Sequence, residues 1–142
     1  MASGFLYIKT HSDDPGTVRV LVSPREPAIG GRQNEDIVRY IARFNDVDGG
    51  RMHVQNLLCR ALTDTDTRTY RVSVAEAIAA VESDNLAHRR VWIDPALSES
   101  ELTEISKIIA RRLANARGAD RAWYAVGLAF VVLLFLQVLG LI

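Results

Sequence analysis

The sequence predicts a small α+β domain with a mostly antiparallel sheet, in the order β-β-α-α-β-α, followed by an amphipathic helix and one C-terminal transmembrane helix. Three observations carry this expectation. Two β-favouring runs flank a Pro-Gly turn near the start, apolar stripes at helical spacing with capping signals fill the middle, and the run from Ala122 to Ile142 holds no charge. The expected organisation is a soluble domain over residues 1–97, an amphipathic and basic juxtamembrane helix over 98–121, and a membrane anchor over 122–142.

Residues 4–9 (GFLYIK) favour a strand. The turn at 11–16 (HSDDPG) follows from its aspartates and Pro-Gly pair. Residues 17–23 (TVRVLVS) read as a second strand, and the two form an antiparallel hairpin. Residues 24–32 (PREPAIGGR) form a loop, because prolines and glycines oppose regular structure there. Asn34 is placed to cap a helix of about ten residues in which Ile37, Val38, Ile41 and Ala42 share one face. Residues 45–50 (NDVDGG) are expected to break it.

A second helix is expected from about Arg51 to Leu62, with Val54, Leu57, Leu58, Ala61 and Leu62 as its apolar stripe. Residues 63–67 (TDTDT) make a turn and 69–72 (TYRV) a short strand. Ser73 and Glu76 have the spacing of a capping box and open an alanine-rich helix through about Leu86. Residues 89–93 (RRVWI) are extended, and Asp94-Pro95 ends them. Ser98 and Glu101 repeat the capping pattern. In the helix that follows, Leu102, Ile105, Ile108, Ile109 and Leu113 share a side, suited either to their own domain or to a membrane partner or second copy. Gly118 is expected to act as a hinge.

The terminal run, AWYAVGLAFVVLLFLQVLGLI, would span roughly 31 Å as a helix, close to the hydrocarbon thickness of a bilayer. Arg111, Arg112, Arg117 and Arg121 stand just upstream, opposed only by Asp120. Basic flanks stay on the cytoplasmic side, and Trp123 and Tyr124 follow where an aromatic belt meets the headgroups. The expectation is a tail anchor holding a cytoplasmic body, at the inner membrane if the protein is bacterial. The apolar run near the N-terminus is too short for a signal peptide, which agrees. Gln137 is the one strongly polar residue in the span. Its amide either bonds a neighbouring helix, for around 1 kcal/mol, or is tolerated in lipid or near the far interface.

Composition bounds the function. Seventeen Lys and Arg balance seventeen Asp and Glu, which argues against a strongly electrostatic nucleic-acid binder. The single cysteine, Cys59, excludes an internal disulfide and fits a reducing compartment. It falls on an apolar helix face beside Leu58 and Leu62, the place of a small core residue. There is no P-loop and no GxGxxG, so no nucleotide cofactor is expected. His53 with Asp46 and Asp48 matches no standard metal spacing, and no metal is expected. His11-Ser12-Asp13-Asp14 reads as turn chemistry, since a catalytic triad assembles from separate segments.

The strand Gly4-Phe5-Leu6-Tyr7-Ile8, the turn Pro15-Gly16 and the strand Val18-Arg19-Val20-Leu21-Val22-Ser23 are followed by QNLLCRAL at 55–62 and TYRVSVAEAI at 69–78. Over about residues 4–82 this order resembles the small bacterial and phage branch of the GIY-YIG nuclease-like superfamily. The resemblance implies a hairpin tyrosine as base, an arginine on the phosphate and a metal-binding glutamate. Tyr7 stands at the tyrosine position, and Arg25 or Arg32 at the arginine. The glutamate falls on Gln55, the histidine after it on Cys59, and a glycine of the second motif on Leu21. A neutral amide is a poor sole ligand for Mg²⁺, so the resemblance implies a catalytically silent copy.

The sequence therefore predicts a non-enzymatic, tail-anchored protein whose cytoplasmic domain binds another protein, as an accessory subunit of an integral-membrane complex, with membrane lipid as its other partner. Trp92, Arg89 and Arg90, with the loop from Pro24 to Arg32, are the candidate contact residues. The alternative is a membrane-tethered nuclease using Tyr7 and Arg25 or Arg32, or a nucleic-acid-binding protein, although nucleic acid is disfavoured by the charge balance.

Overall fold

The computed structural model describes residues 2–29 and 36–140. The chain divides into two compact units, residues 1–109 and 110–142. Among the described residues the first unit builds one antiparallel sheet from β1 (Gly4–His11), β2 (Asp14–Ser23), β3 (Asp36–Phe44), β4 (Leu62–Asp64), β5 (Thr69–Tyr70) and β6 (His88–Ile93), in the order β4-β5-β2-β1-β3-β6. Its helices are α1 (Val47–Leu57), α2 (Val74–Glu82) and the start of α3 (Glu99–Val138). The second unit is the rest of α3. The α+β class is thus as expected.

The hairpin forms, but its turn is Ser12-Asp13 alone: His11 already pairs with Asp14 and its Nδ1 accepts the Asp13 N–H, so β2 takes in Pro15 and Gly16, which the sequence places in the turn. Leu6, Ile8 and Thr10 of β1 are buried while Phe5, Tyr7, Lys9 and His11 between them are only half-buried, the period-two signature of a strand. Leu6 and Ile8, Val18 and Val20, and Tyr40, Ala42 and Phe44 meet the helices in one core. Val54 enters it from α1, Leu58 from the position just after that helix, Ala75, Ile78 and Val81 from α2, and Ile105 from α3. Ile108 and Ile109 pack partly against it, whereas Leu102 and Leu113 of the same stripe are exposed.

The helix expected after Asn34 is instead the strand β3; Asn34 itself lies outside the described residues. Ile37, Val38, Ile41 and Ala42 satisfy helical spacing, but Tyr40, Ile41 and Ala42 are all fully buried. An inner strand apolar on both faces shows a nearly continuous apolar run, which periodicity alone does not separate from a helix. Pairing decides: β1 bonds it on one side (Leu6↔Ala42, Ile8↔Tyr40) and β6 on the other (Ile41↔Trp92).

The expected break at 45–50 is also corrected. Asp46 caps α1, its carboxylate accepting the Gly49 N–H at 3.3 Å, so the helix starts before the glycines and ends at Leu57 instead of Leu62. A Cβ on Gly50 would stand 2.6 Å from the Phe44 ring. Glycine is present there for close approach of helix to sheet. A 3-10 turn, Cys59–Ala61, follows α1 and rotates Cys59 out of the apolar stripe, leaving it exposed and not in the core.

Ser73 caps α2 by accepting the Glu76 N–H at 3.1 Å. This helix stops at Glu82 and not near Leu86, because the Asp84 carboxylate takes the Leu86 N–H in a tight turn. Ser98 and Glu101 complete both halves of a capping box: the serine hydroxyl accepts the Glu101 N–H and the glutamate accepts the Ser98 N–H. α3 is helical through Gly118, the position of the expected hinge.

One polar staple ties α2 to the sheet. Tyr40 on β3 donates its hydroxyl proton to Glu82 Oε1 at 2.8 Å, and Arg90 on β6 grips both carboxylate oxygens, with Nη2 to Oε2 at 2.7 Å. Burial pushes the Glu82 carboxyl up, but the hydrogen bonds from Arg90 and Tyr40 and the Arg90 charge outweigh it and hold the group below its ordinary value. Such a group stabilises the fold above its unfolded pKa of about 4.5, and the contribution is lost as pH falls through the lower folded value. Glu82→Gln is expected to cost about 2 kcal/mol, less than a fully buried pair because Arg90 is partly solvated. Urea midpoints measured across the acid range check it: the wild type loses stability on acidification and the variant loses less.

Candidate docking face

Cross-strand register defines a second sheet face. Phe5, Tyr7 and Lys9 of β1 stand opposite Ser23, Leu21 and Arg19 of β2. Phe5 and Tyr7 also face Arg43 and Ile41 of β3, and Ile41 and Arg43 face Trp92 and Arg89 of β6. Directly paired residues project to the same side, so these side chains form one surface. The buried residues of α1, α2 and α3 all belong to the core on the other side. Ile41 is 0 % exposed yet lies outside that core. Its cross-strand neighbours Tyr7 and Trp92 are half-buried beside it, so this face carries its own thin apolar patch.

Cations frame the patch. The Lys9 ammonium lies 5.7 Å from the Tyr7 ring centre, and the Arg43 guanidinium 5.9 Å from that of Phe5. Lys9 stands directly opposite Arg19, and Arg43 directly opposite Arg89. Like charges in such positions repel. Arg19 has the Asp36 carboxylate 3.7 Å away. Among the described residues, no carboxylate comes within ion-pair distance of Lys9, Arg43 or Arg89. Arg43 and Arg89, with Asn45, Ala87 and His88, line a shallow concavity of about 360 Å³.

Arg89→Glu would convert one repelling pair into an attracting one. The expected outcome is a gain of about 0.5 kcal/mol in unfolding free energy, read by urea denaturation. A loss of stability would show that Arg89 has a structural partner.

The residues singled out by sequence separate. Trp92 and Arg89 lie on this face, while Arg90 turns to the helix side and is held by Glu82. Tyr7 is on the face, and burial raises its phenol pKa, so it remains protonated at neutral pH. Gln55 is exposed on α1, across the sheet from Tyr7. Arg25 is exposed just beyond β2, its backbone N–H donating to Ser23 Oγ at 3.2 Å, and Arg32 lies outside the described residues with part of the loop from Pro24. No cluster of three His, Cys, Asp or Glu suited to a metal occurs among the described residues. Sequence reading missed Phe5, Ile41, Lys9 and Arg43 as site residues. The available signal was that β1 is apolar at both parities, as a one-faced strand is not.

The second unit is one helix that contains a window long and apolar enough to cross a membrane, with mean hydropathy 1.8 and none of it buried. Trp123 and Tyr124 are exposed near its start and Gln137 near its end, and Arg111, Arg117 and Arg121 are exposed upstream with Arg112 half-buried. No protein-family model matches this chain, and neither curated proteins nor solved structures give a match.

Proposed function

We propose that this chain is a membrane-anchored, non-catalytic docking protein, an accessory subunit of a membrane complex, whose sheet face binds another protein. The observation that carries the reading is the half-buried apolar and aromatic face formed by Phe5, Tyr7, Leu21 and Trp92 around the buried Ile41, which lies outside the core that the described helices pack on. Aromatic residues and arginines around an apolar centre are the usual makeup of binding hot spots.

The apolar part of α3 supports lipid anchoring. In this reading Arg111, Arg112, Arg117 and Arg121 keep the domain on the cytoplasmic side, and Trp123 and Tyr124 set depth. Confinement to a membrane raises the effective concentration of the domain near a membrane partner, so a modest face suffices. The GIY-YIG-like hairpin serves here as a scaffold: Tyr7 stays protonated, Leu21 crowds the place of a glycine, and Gln55 supplies no charge for a metal.

The test is purification of the full-length chain from its own membranes in mild detergent. A stoichiometric companion is expected, and Tyr7→Ser with Trp92→Ser should release it. Recovery of the chain alone, or a companion indifferent to those changes, contradicts the reading. Metal-dependent DNA cleavage that disappears in Tyr7→Phe would establish the nuclease instead.

A further inference from the structure

We propose that the partner presents an acidic segment, its carboxylates gripped by Arg43 and Arg89 while its apolar side chains pack on Phe5 and Trp92; this rests on the reading of the face as a docking surface. Three of the sheet's cations face a carboxylate: Arg19 faces Asp36, Arg39 faces Asp94 and Arg90 faces Glu82. Among the described residues, Lys9, Arg43 and Arg89 do not, and all three lie on the sheet face away from the core. Opposed cations without a counter-ion raise the energy of the free domain, and an arriving anion relieves it.

The geometry favours carboxylates. Arg43 and Arg89 are directly opposed on neighbouring strands, and the concavity they share with Asn45 and His88, about 360 Å³, has room for an aspartate or glutamate side chain. Guanidinium forks match carboxylates edge-on with paired N–H donors. Arg43 has the Phe5 ring centre 5.9 Å away, a cation–π contact that takes up none of its N–H donors. Nucleic acid suits the face less well. The Phe5 and Tyr7 rings already carry the Arg43 and Lys9 cations, which a stacking base would have to displace. Apolar side chains of a peptide meet Trp92, which lies beside the buried Ile41, without that competition.

The full-length chain in nanodiscs of phosphatidylcholine alone tests this. Fluorescence anisotropy is followed for two labelled peptides that share their Leu and Phe positions, one with Glu at every other position and one with Lys. A labelled single-stranded oligonucleotide is the third probe. The Glu peptide is expected to bind at least about tenfold tighter than the Lys peptide, and Arg43→Gln with Arg89→Gln to remove that preference, with binding weakening as salt rises. Circular dichroism confirms that the double variant is folded. Equal binding of both peptides, lost in Trp92→Ser, overturns the acidic partner while leaving the docking face intact. Failure of both peptides, or binding indifferent to Trp92→Ser, overturns both. Oligonucleotide binding with the peptides silent replaces the partner by nucleic acid.

Discussion

Phe44→Ala is expected to lower the unfolding free energy of the first unit by about 4 kcal/mol, the cost of removing a large buried ring. Phe44 is fully buried at the end of β3, stacks on His88 with ring centres 4.9 Å apart, and is approached by Gly50 of α1. It therefore joins the edge strand β6, the strand β3 and the first turns of α1. Neither Gly50 nor the stacked His88 can fill the space, so collapse of the cavity is limited. Small domains hold only about 5–15 kcal/mol in total, so the variant should open often enough to be read by amide exchange in β1 and β3. A change below about 1 kcal/mol would mean that the helix does not pack on Phe44.

Leu133→Asp with Phe135→Asp is expected to release the protein from membranes. Each charge near the middle of a span costs about 3 kcal/mol on insertion scales, and the two together exceed what the remaining apolar residues recover easily. Both positions lie in the exposed apolar part of α3. After alkaline carbonate extraction the wild type should sediment with the membrane, and the variant should move to the supernatant. Leu133→Ala with Phe135→Ala keeps the segment apolar and should sediment. Sedimentation of all three would place the attachment elsewhere.

The local signals in the sequence translated well where a single residue type decides the geometry. Ser73 and the Ser98–Glu101 pair cap helices as their spacing requires, whereas the hairpin turn forms at Ser12-Asp13 and Pro15-Gly16 lie within β2. Reading failed where long-range packing decides. β3 looks helical because it is apolar on both sides, and only pairing with β1 and β6 makes it a strand. Gly49 and Gly50 look like a break, yet Phe44 needs the closeness that Gly50 permits. Cys59 leaves the core because a 3-10 turn changes the rotation per residue. Trp92 and Arg89 of the candidate face were visible as local chemistry. Phe5, Lys9, Ile41 and Arg43 join them only through register across three strands.

The central claim is that a partner covers the sheet face of the membrane-held protein. Photocrosslinking in native membranes tests it most directly, with benzoylphenylalanine placed at Trp92 in one full-length variant and at Met52, 59 % exposed on α1, in another. The account predicts a discrete adduct from position 92 and none from position 52. Absence of an adduct at 92, or equal adducts from both positions, would contradict it.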